Sequence, residues 1–170
     1  MQELFLLVDG YNMIGAWGHL KEIKKKSLER ARELLVEDLT GFGTIYKCRV
    51  IIVFDACDVR GLESCEKRHD LEIVFTRENE TADEYIERFV ALHKRFGRKI
   101  WVATSDAVQQ WQIFGQGALR KPAFELLQEI RNAKVQVQES VQRMKKEKPQ
   151  NHIPISGEIR AIFEEIRRRK

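Results

Sequence analysis

The chain has 170 residues, of which 43% are hydrophobic and 33% are charged. This composition excludes a disordered or membrane-embedded chain, and the length suits one globular domain with its own core. The formal net charge of +4 is a weak sign of a polyanionic partner, but the charge is uneven, because residues 119–170 hold thirteen Lys and Arg against seven Asp and Glu.

The N-terminal strand is expected to belong to the mature protein, because the first residues lack the basic segment and long apolar stretch of a signal peptide. No apolar run is long enough to span a bilayer. The three cysteines, Cys48, Cys57 and Cys65, are odd in number and show no C-x-x-C spacing, which indicates neither a disulfide framework nor a zinc site. We therefore expect a cytoplasmic protein that binds no membrane.

Four apolar runs have the length of strands and little polar alternation, as buried parallel strands do. Two further segments carry apolar residues at three- and four-residue spacing, which predicts helices. Alternating strands and helices favour right-handed crossovers and a three-layer α/β/α sandwich with a mainly parallel central sheet. The predicted strands are Leu4–Val8, Val50–Phe54, Leu71–Phe75 and Ile100–Ala103, and the predicted helices are Ser27–Leu39 and Ala82–Phe96.

A long helix is predicted over about residues 122–146, because Pro122 is tolerated in a first helical turn and apolar residues recur after it. Residues 149–154 then read as a short linker, so we expect a main domain over residues 1–148 and a basic C-terminal helix within residues 149–170. That helix ends in Arg167, Arg168, Arg169 and Lys170. The basic end is either a phosphate-binding surface or a solubilising terminus.

Carboxylates follow three of the predicted strands, at Asp9, Asp55 and Asp106, and a fourth, Asp83, begins the helix after Leu71–Phe75. The carboxyl ends of parallel strands meet at one edge of a sheet, where α/β proteins place their ligands. Like charges gathered there call for a cation, and oxygen ligands favour Mg²⁺ or Mn²⁺. The alternative is that each Asp is a helix cap or a turn residue, and Asp55 fits a structural turn as well as a site.

The substrate side is indicated by glycines, basic residues and aromatic residues. Two glycines, Gly115 and Gly117, precede Arg120 and Lys121, which we expect at a helix start, and such a segment can bind a phosphate. A glycine C-cap followed by a turn is the competing interpretation. Tyr11 lies near Asp9 and has two possible roles, packing or stacking on an RNA base. The same two roles stay open for Trp17, whereas Trp101 lies within a strand and is expected in the core.

Five segments taken together, VDGYN, VFDA, ENETADE, ATSD and IFGQGALRK, resemble the YacP-type NYN domain family, relatives of PIN-like metal-dependent nucleases. The resemblance implies a PIN-like fold in which Asp9, Asp83 and Asp106 form an acidic metal site. It also implies that Asn12 positions a water or a phosphate at the metal, and that Asp55 is a further acidic site residue. For the biology, it implies cleavage of mRNA in association with the translating ribosome.

The leading hypothesis is therefore an endoribonuclease that uses Mg²⁺ or Mn²⁺, acts as a monomer, and binds RNA or the ribosome through Tyr11, Arg120, Lys121 and the arginines Arg167, Arg168 and Arg169. One alternative is a ribosome- or RNA-binding adaptor whose acidic residues no longer act, which predicts binding with a steep salt dependence and no cleavage. A third, small-molecule phosphohydrolase activity is less favoured because no D-x-D pair ends a strand.

Overall fold

The structure is a computed structural model that describes residues 3–55, 64–94, 98–106, 115 and 117–147, the last range with side chains up to residue 143. The chain divides into two compact units, Met1–Lys134 and Val135–Lys170. The sheet and the candidate site belong to the first unit. Within the described ranges, no helix combines the length and the apolar character needed to cross a membrane.

The described residues form one sheet of six strands. The strands lie in the order β3-β4-β2-β1-β5-β6, and every neighbouring pair is parallel except β3 and β4, which are antiparallel. The sheet is thus mainly parallel, as predicted. The bounds are Leu4–Asp9 (β1), Cys48–Phe54 (β2), Ser64–Arg68 (β3), Leu71–Phe75 (β4), Lys99–Ala103 (β5) and Leu119–Lys121 (β6).

Helices cover both faces of the sheet, since alternate residues of β1 enter two different apolar clusters. Leu6 and Val8 belong to the cluster that contains residues of the helices Gly10–Ala16, Leu28–Leu39 and Ala123–Glu147. Phe5 and Leu7 belong to the cluster that contains residues of the helix Ala82–Lys94. The predicted three-layer α/β/α sandwich is therefore confirmed. The described helices are Gly10–Ala16 (α1), Gly18–Lys24 (α2), Leu28–Leu39 (α3), Phe42–Tyr46 (α4), Ala82–Lys94 (α5) and Ala123–Glu147 (α6).

Five elements were not predicted: β3, β6 and the short helices α1, α2 and α4. Every residue of β3 is exposed, so its sequence SCEKR lacks the apolar pattern by which the buried strands were found. β6 has only three residues and contains Arg120 and Lys121, which the sequence analysis placed at the start of a helix. That placement was wrong, because the helix begins two residues after Lys121, at Ala123.

The sheet order determines where a ligand site can form. The chain runs from β1 outward to β2 and β4 on one side, and then returns to place β5 on the other side of β1. β1 pairs with β2 and with β5, both in parallel. The direction of the strand order reverses between β1 and β5, and the carboxyl ends of strands at such a reversal are the usual ligand position in open α/β sheets.

Candidate active site at the carboxyl edge of the sheet

Asp9 is the last residue of β1 and is only 5% exposed. It is also the N-cap of α1, because its Oδ1 accepts a hydrogen bond from the Asn12 backbone N–H at 3.0 Å. The pKa of Asp9 is raised to about 6, mainly by burial, with the nearby carboxyls of Asp83 and Asp55 contributing to the rise and the hydrogen bond from Asn12 opposing it. The carboxyl therefore has a structural role, but it also faces other acids.

Asp83 reaches Asp9 from the first turn of α5. That turn is held by a capping box, in which the Glu84 N–H donates to Thr81 Oγ1 at 3.2 Å and the Thr81 N–H donates to Glu84 Oε2 at 3.0 Å. Burial raises the pKa of Asp83, and the charges of Asp106 and Asp55 add to the effect. The two carboxyls lie within hydrogen-bonding reach of each other, and this contact raises the pKa of Asp9 and opposes the rise in the pKa of Asp83.

The other two acids lie at the same edge. Asp55 follows β2 directly and accepts a hydrogen bond through Oδ1 from the Ala82 N–H, at the start of α5. This bond gives Asp55 the capping role considered as its alternative, while its charge still acts on Asp9 and Asp83. Asp106 lies beyond β5, where its own N–H donates to Thr104 Oγ1 at 3.1 Å. We call Asp9, Asp55, Asp83 and Asp106 the acidic edge.

Asn12 joins α1 to the segment that follows β5. Its side-chain Oδ1 accepts hydrogen bonds from the Ser105 N–H, at 2.9 Å, and from the Ser105 hydroxyl. Because Ser105 precedes Asp106 directly, Asn12 fixes the backbone that carries this acid. Sequence reasoning missed Ser105, since nothing in its local sequence distinguishes it from an ordinary loop serine. The T-x-x-E spacing of Thr81 and Glu84 is a signal that could have located the start of α5.

The donor set suits a hard divalent cation. Within the described ranges, no three His, Cys, Asp or Glu side chains are grouped closely enough to form a metal site by themselves. Mg²⁺, however, typically takes one or two carboxylates and completes its coordination with water and substrate phosphate. The paired carboxyls of Asp9 and Asp83 meet that requirement, and burial beside like charges leaves them in need of a positive charge.

Glu80 does not belong to the acidic edge. Its carboxylate forms ion pairs with Arg77 at 3.0 Å and with Arg88 at 2.9 Å. Burial alone would raise the pKa of Glu80, but the hydrogen bonds from the two arginines lower it. Glu87 is half-buried on α5, and its charge acts on Asp83.

The aromatic residues near Asp9 are used in packing. The Tyr11 ring lies 5.1 Å from that of Phe54, centroid to centroid, and is half-buried against the core. Trp17 is buried, and its Nε1–H donates to the carbonyl of Ala123 at 2.9 Å. The structure thus favours the packing role for Trp17, whereas Tyr11 keeps part of its surface accessible and its contact with RNA stays a prediction. Trp101 is half-buried against the core.

The two predicted phosphate-binding residues of β6 differ in exposure. Arg120 is exposed on β6, as such a contact requires. Lys121 is only 7% exposed, with its Nζ 2.6 Å from Glu129 Oε1 and 4.0 Å from the centroid of the Trp101 ring. An ammonium group held in this way is not presented to a phosphate, so the structure speaks against the predicted role of Lys121. Arg167, Arg168 and Arg169 lie outside the described residues.

The glycine segment before β6 lies away from the acidic edge. Because β6 runs parallel to β5 and begins at Leu119, Gly117 lies towards the amino edge of the sheet, opposite the acids. Gly117 has a left-handed φ of +85°, and the Lys94 side chain occupies the place that a Cβ would take. A left-handed φ is common for a glycine in a turn, and the position of Gly117 does not suit a phosphate loop beside the acids.

Known proteins resemble the chain over nearly its whole length. The YacP-like NYN domain family matches residues 6–168. Protein YacP of Bacillus subtilis (strain 168) is 47% identical over 163 residues, which cover 96% of each chain. A crystal structure of Rae1 (YacP) from Bacillus subtilis matches with a TM-score of 0.74 and 47% identity, covering 96% of this chain and 94% of that one. A crystal structure of a mutant form of the same Bacillus protein matches with a TM-score of 0.73 and 44% identity, covering 88% and 87%. The chain therefore belongs to the YacP-like NYN domain family, as the sequence resemblance predicted.

Proposed function

We propose that this protein is an endoribonuclease that depends on Mg²⁺ or Mn²⁺. The observation that carries the proposal is the Asp9–Asp83 pair, one buried and one half-buried carboxyl, at the edge where open α/β sheets usually bind ligands. Burial and nearby like charge raise the pKa values of both carboxyls. A fold gains nothing from such repulsion unless a cation is bound there. Membership of the NYN family supports an RNA-related nuclease activity.

In this proposal Asp9 and Asp83 hold the ion directly, and Asp106 completes the predicted acidic set from the same edge. The ion, when bound, would supply Lewis acidity towards a phosphodiester. Asp9 and Asp83 are fixed to β1 and to the capped start of α5, so the two carboxylates need little reorganisation on binding. Asp55 fixes that same helix start through the Ala82 N–H. Asn12 acts as a positioning residue, because it holds Ser105 and hence the backbone of Asp106.

The proposed substrate is mRNA on the translating ribosome. The basic excess of residues 119–170 and the exposed side chain of Arg120 support a polyanionic partner. Arg167, Arg168 and Arg169 are proposed to add to this attraction. All members of the acidic edge come from one chain, and we propose that the active protein is a monomer.

The test compares Asp83→Asn with Glu78→Gln, which makes the same carboxylate-to-amide change on an exposed acid five positions away. Each protein is incubated with Mg²⁺ or Mn²⁺ and with an mRNA, once naked and once under translation in a reconstituted system, and the 5′ ends are mapped. We expect Asp83→Asn to lower the cleavage rate about 100-fold or more, since the loss of several kcal/mol of charge stabilisation costs a tenfold rate for each ~1.4 kcal/mol. Glu78→Gln should cleave like the wild type.

The pattern of cuts decides between the alternatives. Cuts confined to translated mRNA that require both the cation and Asp83 would support a ribosome-dependent nuclease, and cuts in both RNAs would support a nuclease that needs no ribosome. If the wild type cuts neither RNA but sediments with ribosomes, the nuclease proposal is wrong and the adaptor hypothesis takes its place.

A further inference from the structure

A groove of about 160 Å³ opens on the α3 side of the sheet. Phe54 and Phe75, the last residues of β2 and β4, form part of its lining. Arg32 of α3 lies on one side, and Glu66 and Arg68 of β3 lie on the other. At about 30 Å³ per water molecule, this space corresponds to roughly five waters, so it suits a small group rather than a folded element.

The groove is connected to the acidic edge by three aromatic rings, those of Tyr11, Phe54 and Phe75, which we call the aromatic row. Tyr11, two residues after Asp9, contacts Phe54, and Phe54 stacks on Phe75 with ring centroids 5.6 Å apart and planes 25° apart. Phe75 is half-buried, so part of its ring surface is accessible from the groove. The Arg32 guanidinium lies 5.8 Å from the Phe75 centroid. An aromatic ring with a guanidinium beside it is a typical platform for an unpaired base.

The charges around the groove leave Arg32 available. Arg68 is bound by Glu66 at 2.7 Å, and Glu33 is bound by Arg30 at 2.8 Å. Arg32 makes no ion pair with any residue that the structure describes. A planar guanidinium that is not taken up by a carboxylate can stack on a base or donate to its ring atoms.

The groove and the acids lie at the same edge but on opposite faces of the sheet. Along β1, Asp9 alternates in phase with Phe5 and Leu7, which face α5, whereas Phe54 belongs to the cluster on the α3 side. β4 is the second strand from β1, so the end of β4 is about 10 Å away at roughly 4.8 Å per strand. An RNA strand whose phosphate lies at Asp9 and Asp83 can therefore extend a neighbouring base across the edge into the groove.

We propose that this groove binds one unpaired nucleobase of the RNA substrate, stacked on Phe75 and flanked by Arg32. The inference rests on the proposed nuclease function and adds a base-binding subsite to it. The carboxylate of Glu29, which also lines the groove, can accept a hydrogen bond from a base amino group. Such a subsite makes cleavage depend on the identity of a base near the cut.

The test uses short single-stranded RNAs that carry the fluorescent base 2-aminopurine at one position each, bound to the full chain with Asp83→Asn so that they stay uncut. Stacking on Phe75 quenches the fluorophore at the position that enters the groove. Phe75→Leu removes the aromatic face, and Arg32→Lys keeps the charge but removes the planar group. Arg30→Lys is the matched control, because Arg30 lies on the same helix but is exposed and bound to Glu33.

We expect position-specific quenching that is lost in Phe75→Leu and reduced in Arg32→Lys but kept in Arg30→Lys. The affinity should fall about 5- to 100-fold in Phe75→Leu, the usual loss for one stacked base. Thermal unfolding of each variant shows whether it is folded. If Phe75→Leu does not fold, Arg32→Lys still tests the inference. If the RNA binds but quenching is absent or equal in all variants, the base subsite is wrong while the nuclease proposal stands. If the RNA does not bind at all, the inference that this groove holds a base is wrong, and the nuclease proposal is judged by the cleavage test on naked and translated mRNA.

Discussion

Asp9 is a buried carboxyl that faces two other acids, and such a group costs the folded state free energy whenever it is ionised without a cation. Its pKa in the folded protein is about 6, against an ordinary value of 3.8. Because the folded state binds the proton more tightly than the unfolded state, the stabilising effect of the protonated carboxyl is complete below pH 3.8 and is lost as the pH rises to about 6. Above that pH the ionised group costs on the order of 3 kcal/mol, at about 1.4 kcal/mol per pH unit.

We therefore expect Asp9→Asn to be more stable than the wild type at pH 7 in EDTA, by about 1–3 kcal/mol, while losing cleavage. Asn serves equally well as an N-cap, so the start of α1 is kept. Urea unfolding of both proteins from pH 4 to pH 8 measures the difference, which should grow with pH and shrink when Mg²⁺ is added. A variant that is less stable than the wild type at every pH would show that the ionised Asp9 carboxylate, buried beside other acids, does not destabilise the folded protein.

Gly10 follows Asp9 and is the residue that lets α1 begin at this point. A Cβ at this position would collide with the ring of Phe54, the middle member of the aromatic row. Gly10→Ala should lower the free energy of unfolding by about 1–3 kcal/mol, as overpacking does. Gly15→Ala in the same helix is the control, because a Cβ there meets nothing within 4 Å, and it should raise stability by about 0.5–1 kcal/mol. Equal effects of the two substitutions, measured by urea unfolding, would contradict the predicted collision.

Residue type alone predicted part of the site. Asp9, Asp83 and Asp106 were found because carboxylates at strand ends and at a helix start are visible in the sequence. The burial of Lys121 was not visible, because its partners Glu129 and Trp101 come from α6 and β5, which the sequence does not show to be adjacent. The groove was missed for the same reason, since Arg32 and Phe75 are brought together only by the packing of α3 on the sheet.

At the scale of elements, the short helix α4 depends on one distant carboxylate. Asp70 accepts hydrogen bonds from the backbone N–H groups of Gly41, at 3.0 Å, and Thr44, at 3.1 Å, and from the Thr44 hydroxyl at 3.2 Å. Burial would raise the pKa of Asp70, but these bonds lower it below the ordinary value of 3.8. The stabilisation is therefore present above pH 3.8 and is lost as the pH falls through the lowered pKa.

Asp70→Ala should accordingly cost about 0.5–2 kcal/mol at pH 7, the usual loss of a helix cap, and less at pH 3. Asp38→Ala is a suitable comparison, because Asp38 pairs with His19 and Lys134 at the surface and should cost less than about 1 kcal/mol. Urea unfolding at the two pH values checks both. An Asp70→Ala cost that does not change between pH 7 and pH 3 would contradict the assigned ionisation.

Apolar runs predicted the four buried strands and the three longer helices because burial on both faces, or on one helical face, leaves a strong pattern. The two edge strands carried no such pattern. β3 is exposed throughout, and its Glu66, Lys67 and Arg68 suit an edge that must not pair with other chains. α1 begins directly after β1 without the polar segment that usually separates a strand from a helix.

At the scale of the whole molecule, the alternation of strands and helices predicted the sandwich, but not the strand order. The antiparallel pairing of β3 and the pairing of β6 with β5 depend on contacts between segments that are distant in the sequence. The second pairing places Gly117 towards the edge of the sheet opposite the acids. The convergence of acids from β1, α5 and the end of β5 followed from the parallel sheet alone, which is why the sequence predicted the candidate site but not the surroundings of Lys121.

Because β1 lies between β2 and β5, the two sides of the sheet are synthesised at different times. β1 and β2 leave the ribosome early, whereas β5 begins only at Lys99 and Asp106 follows it. Until then Asn12 has no Ser105 to bind, and the acidic edge lacks a member. An unfinished chain is still attached to a ribosome that carries the message encoding it. The proposed nuclease therefore lacks its complete acidic edge during much of its own synthesis, when the mRNA that encodes it is close by.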